Sequence, residues 1–74
     1  MEQTLGQKAV GLSFNPSGDD AVAQFKQLYA DAIDKVNDLR QQTTDAEVKR
    51  MCSVAITESQ TTQMWAVKAA TWRG

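Results

Sequence analysis

Arg50 lies seven residues before Thr57, and Lys68 eight residues after Gln60. Both separations are close to two helical turns. On one helix the two cations therefore bracket a belt, Thr57-Glu58-Ser59-Gln60-Thr61-Thr62-Gln63, with no purely apolar side chain. Hydroxyls, amides and flanking cations suit recognition of a polar, phosphorylated ligand. Lys26 supplies a further ammonium on the face flanking Phe25 and Tyr29, and Phe14 an aromatic ring. Stacking of a nucleobase on such a ring contributes roughly 1–3 kcal/mol. A second reading stays open beside this one. The belt can be an internal network, with Ser and Thr bonding back to helix carbonyls and Gln fixing register between chains.

The residue inventory excludes several classes of function. With no His and a single Cys there is no tetrahedral zinc set and no His-based acid–base or triad chemistry. Asp31, Asp34 and Asp38 make an acidic strip, but paired-carboxylate catalysis needs a shielded site to separate two pKa values. On an exposed helix the strip reads as solvation, and the chain is not expected to be an enzyme or to carry a metal or cofactor. Eight Lys plus Arg against nine Asp plus Glu leave no basic stripe for a nucleic-acid polymer. No apolar run approaches the ~20 residues of a membrane span, and the N-terminus lacks the pattern of a secretory signal. Cys52 has no internal disulfide partner and fits a small apolar role in a reducing compartment. The expected location is cytosol.

The elements that must position these groups are helical. Residues 1–13 are weakly patterned and read as a flexible or docking segment, with the domain proper over 14–74. In FNPSGDD, Pro16 disfavours helix at Asn15, and Ser17 is the expected N-cap of a first helix running to about Gln42. Val22, Phe25, Tyr29, Ala32, Val36 and Leu39 alternate by three and four, a heptad seam. Thr44 with Glu47 reads as a capping box opening a second helix from Asp45 to about Thr71. So short a turn makes the helices antiparallel neighbours. The expected fold is all-α, an antiparallel helical hairpin. Met64, Trp65, Ala66, Val67, Ala69, Ala70 and Trp72 are apolar nearly all round the end of the second helix. One partner helix cannot cover such a surface, so a homo-oligomer is expected.

The segment RMCSVAITESQTTQMWAVKAA resembles the second helix of the hairpin domain shared by bacteriophage anti-CBASS and anti-Thoeris sponge proteins, through Arg50, Thr57, Gln60, Met64 and Lys68. FNPSG, followed by Lys26 in the first helix, resembles the family's first half. The resemblance implies small all-α hairpins assembling as homohexamers in the host cell cytoplasm. These bind cyclic dinucleotides of the 3′,3′-cGAMP type and, in many members, cyclic trinucleotides at a separate site, without cleaving them. Sequestering the messenger keeps the immune effector silent. Carried over, base stacking falls to Phe14 and phosphate contact to Lys26, with Asn15, Arg50, Thr57, Gln60 and Lys68 at matching positions. The alternative is a structural hairpin oligomer, an adaptor or assembly protein with no small-molecule ligand.

Overall fold

The computed structural model describes residues 2–74, in three helices: α1 (Leu5–Val10), α2 (Asp20–Gln42) and α3 (Ala46–Ala70). Among the described residues there is no strand. α2 and α3 are the expected antiparallel pair, joined by residues 43–45. Residue 1 of the expected N-terminal segment lies outside the described residues.

Two helix starts differ from the sequence expectation, each by a carboxylate displacing a hydroxyl. Asp19, not Ser17, caps α2, its side chain accepting from the Ala21 N–H at 2.8 Å. Ser17 is used one turn earlier, donating to Asn15 Oδ1 at 2.8 Å and accepting from the Asp19 N–H at 3.2 Å. At α3 the cap is Asp45, accepting from the Glu47 and Val48 N–H groups. Glu47 does not reach back to complete a capping box, because its carboxylate pairs with Arg50 instead, at 2.6 Å. An ionised carboxylate meets the positive end of the helix better than a neutral hydroxyl does.

α1 is short but fully terminated. Thr4 and Gln7 form a reciprocal capping box at its start, and Gly11, at φ 62°, closes it in the left-handed conformation. It docks on α2 at a backbone-to-backbone contact. A Cβ on Gly6 would stand 2.0 Å from the carbonyl oxygen of Ala30. The Gly6 N–H donates to Asp34 Oδ1 at 2.7 Å. Asp34 is therefore a partner of α1, and of the acidic strip Asp31 and Asp38 stay exposed.

This docking explains why the buried stripe of α2 departs from the heptad seam. The deepest positions are Val22, Lys26, Ala30 and Ile33, while the seam residues Ala32 and Leu39 are exposed. α2 must meet α1 at small Ala30 as well as α3 along its length, so its buried face rotates toward both partners. The core cluster is Val10, Ala30, Ile33 and Ile56, flanked by Ala9, Leu12, Tyr29 and Val36. Ile33 is wholly enclosed. Ile33→Ala should cost about 2–5 kcal/mol. At roughly 4–8 °C per kcal/mol for a domain this size, a calorimetric midpoint should fall by about 10 °C or more.

The molecule measures 45 × 31 × 12 Å. α1 touches α3 as well as α2, so the three helices meet around one small core that leaves much of the outer surface of the long pair uncovered. Large apolar side chains stay outside as a result: Phe14 is 70% exposed, Leu28 57%, Met64 61%, and Trp65 and Trp72 66% each.

Candidate ligand-binding site

The connector between α1 and α2 crosses the end of the hairpin and encloses a groove of about 320 Å³ against α3. Phe14, Asn15, Pro16 and Ser17 form one wall, Val22 and Lys26 of α2 the floor, and Val67 and Thr71 of α3 the opposite wall. Three expected site residues, Phe14, Asn15 and Lys26, therefore come together here.

Their polar atoms are already engaged. Lys26 is only 6% exposed, and its ammonium donates to the Gly11 carbonyl at 3.0 Å and to the Phe14 carbonyl. The same nitrogen lies 5.4 Å from the centroid of the Phe14 ring. A buried ammonium is costly unless hydrogen-bonded, and two carbonyls with a ring face supply that compensation. Asn15 donates from Nδ2 to the Asp19 carbonyl at 3.1 Å and accepts from the Ser17 hydroxyl. The connector is thus tied internally, and Phe14 is held with its ring outward. The rim offers an exposed aromatic face, an apolar floor and a fixed positive charge beneath it. That combination suits a planar heteroaromatic group joined to an anion.

Arg50, Thr57 and Lys68 lie elsewhere. With Val54, Thr61 and Met64 they alternate by four and three along α3, and all six are exposed. The stripe faces away from the buried residues Cys52, Ile56 and Gln63. It carries two shallow concavities, one lined by Arg50, Ser53, Val54, Thr57 and Glu58, the other by Thr61, Met64, Trp65 and Lys68. Arg50 is bidentate to Glu47 through Nε and Nη2. Its guanidinium holds the Glu47 carboxyl below the usual carboxylate range, and Glu47 in turn raises Arg50. The pair therefore survives mild acid and is lost as pH falls through the depressed Glu47 value. The Lys68 ammonium stands 5.3 Å from the Trp65 ring centroid. Gln60 is half-buried at the margin of this stripe and lines neither concavity.

The belt between the cations divides in two. Ser59, Thr61 and Thr62 donate their hydroxyls to the carbonyls of Ala55, Thr57 and Glu58, one turn back. Gln63 turns inward and is 6% exposed, whereas Thr57 and Glu58 face out. Back-bonding thus accounts for three of the seven belt residues within one chain. Among the described residues no cluster of three metal-ligating side chains occurs, and no helix is long and apolar enough to cross a membrane.

Sequence reasoning missed Val67 and Thr71 as the far wall, because nothing in their types separates a groove lining from a core contact. Residues 7–71 match the family described as Acb2/Tad1, hairpin domain. The chain belongs to that family. The match takes in all of the connector and both long helices, so the groove and the α3 stripe both fall within the Acb2/Tad1 hairpin domain. Membership supports a nucleotide-sponging, anti-defence role in general terms. No curated protein and no solved structure matches the chain.

Proposed function

We propose that this Acb2/Tad1 hairpin protein binds cyclic dinucleotide immune messengers, of the 3′,3′-cGAMP type, in the connector groove and withholds them intact from their effector. The observation that carries the reading is the meeting of Phe14, Asn15 and Lys26 in one groove. Phe14 offers its face to a base, and Lys26 sets a positive potential beneath the phosphodiester ring. At about 320 Å³ the groove is at the small end of ligand pockets, about 300–1,000 Å³. It suits one nucleoside half of a cyclic dinucleotide. A second copy related by a two-fold axis would receive the other half. The outward stripe with Arg50, Thr57 and Lys68 is the candidate second site, for cyclic trinucleotides, completed by neighbouring chains in a homohexamer. Gln60 sits beside it, and the site of action is the host cell cytoplasm.

Thermal melts test the reading. Free ligand at 100 times its dissociation constant adds about 2.7 kcal/mol, so a saturating cyclic dinucleotide should raise the midpoint by roughly 10 °C or more. The nucleotide should be recovered intact after denaturation. No shift with any cyclic di- or trinucleotide would leave the structural-oligomer alternative, and linearised product would make the protein a hydrolase.

A further inference from the structure

The heptad seam of α2 is only partly consumed by the fold. Val22 is buried, yet Ala32 and Leu39 stay exposed and Phe25 and Val36 are half-buried. Leu28, 57% exposed, and Leu39, 52% exposed, lie eleven residues apart, three helical turns to within about 20°. With Ala32 and Lys35 between them they form one stripe, turned away from Lys26, Ala30 and Ile33. Lys35, Asp38, Leu39 and Gln42, with Val36 at the edge, line a shallow concavity on the same helix. The first four stand at i, i+3, i+4 and i+7, the hole that receives a knob when helices pair. Among the described residues Lys35 joins no salt bridge. Asp31, one turn before it, accepts from the Gln27 amide at 2.8 Å.

We infer that this stripe pairs with the same stripe of a second copy, the two α2 helices antiparallel about a two-fold axis midway between Leu28 and Leu39. The inference rests on the homohexamer of the reading above. Trp65 and Trp72, each 66% exposed, form the larger apolar patch. A two-fold contact through them stops at two chains, so six chains need a second, different contact. The register follows from the spacing. Leu28 of each copy enters the hole around Asp38 and Leu39 of the other. The same offset sends Lys35 into the hole formed by Leu28, Asp31, Ala32 and Lys35 of the other copy, where the Asp31 carboxylate meets its ammonium. Parallel, in-register pairing would instead set Lys35 against Lys35 and Asp31 against Asp31. Charge thus selects the antiparallel arrangement, and the helix is its own complement. A lysine within such a seam fixes register at a cost in stability, and both leucines are already about half-covered. This is therefore the weaker of the two contacts. It does not hold free chains together, but it links pairs already joined by the tryptophans, each of which presents the stripe twice.

Sedimentation of full-chain variants is the test. Wild type should run at six times the 8.2 kDa chain mass, and Leu28→Gln with Leu39→Gln at twice it, with matching far-UV dichroism. Neither leucine belongs to the core cluster, so the hairpin folds without them. Lys35→Asp sets a carboxylate against Asp31 of the other copy and should also stop at pairs. Adding Asp31→Lys exchanges the two charges, restores the complement and should restore the full mass. A double-leucine variant of wild-type mass would overturn the contact, and so would a wild type of only two chains. A monomeric double-leucine variant would overturn its rank as the weaker of two. Lys35→Asp at wild-type mass, or no recovery on adding Asp31→Lys, would overturn the antiparallel register. If wild type binds no cyclic dinucleotide, the ligand reading fails, while the masses still decide whether α2 pairs with α2.

Discussion

Gly6→Ala should detach α1 from α2 and take the groove's near wall with it. One added methyl group meets the Ala30 backbone at 2.0 Å, far inside any tolerable contact. No flexible side chain is available to give way, because the atom opposed is a carbonyl oxygen within α2. Overpacking of this kind costs about 1–3 kcal/mol. Separation of the helices also breaks the Gly6 N–H bond to the Asp34 carboxylate, and bonds to charged groups contribute about 1.5–3 kcal/mol. α1 has only six residues and cannot persist alone in water. The expected result is selective: rapid amide exchange and proteolytic cleavage within residues 5–14, with Ile33 and Ile56 still protected. The overall midpoint should drop by roughly 10 °C. A variant that melts like wild type, with residues 5–14 equally protected, would contradict the close approach.

How far these features could be read in advance depended on whether their cause was local. The hairpin was legible because long 3.6-residue periodicity, a break at Asn15-Pro16 and a short polar turn all act within neighbouring residues. Phe14, Asn15 and Lys26 were legible as candidates, but their engagement with each other was not. Which carbonyls an ammonium finds depends on how α1 folds back, a non-local event. α1 did carry a local signal, Thr4 and Gln7 for a capping box and Gly11 for a left-handed stop. Six helical residues are too few for periodicity to register, so the termini were the only signal there. The stripe of α2 was misplaced for the opposite reason. Its heptad pattern is real, yet Gly6 and Ala30 let a third element approach closely and turn the buried face away from Ala32 and Leu39. Cap assignment failed by two residues at Asp19 and by one at Asp45, where adjacent residues compete for the same N–H groups.

Trp65→Ser with Trp72→Ser should convert the assembly to monomers that retain their helices. Trp65 lies on the outer face of α3 and Trp72 just beyond its C-terminal end, each 66% exposed, with Lys68 and Ala69 between them around a concavity of about 340 Å³. Neither belongs to the core cluster, so folding of the hairpin does not depend on them. A tryptophan side chain buries about 150–250 Å². Covering the exposed two-thirds of each, at about 25 cal/mol per Å², stabilises an interface by roughly 2–4 kcal/mol per ring. In a two-fold contact four such rings contribute together, which is comparable with the estimated 4–15 kcal/mol entropic cost of association. Within one chain the described residues leave both rings largely uncovered. Sedimentation should therefore give a single species near 8.2 kDa for the double variant against a larger one for wild type, with matching far-UV dichroism. Nucleotide affinity separates the remaining possibilities. If a second copy completes the connector groove, the monomeric variant loses most of its affinity although Phe14 and Lys26 are untouched. If one chain suffices, affinity is retained and the two-fold account of the ligand is wrong. A wild-type protein that sediments as a folded monomer would remove the premise, because those rings would then be stable in water without a partner.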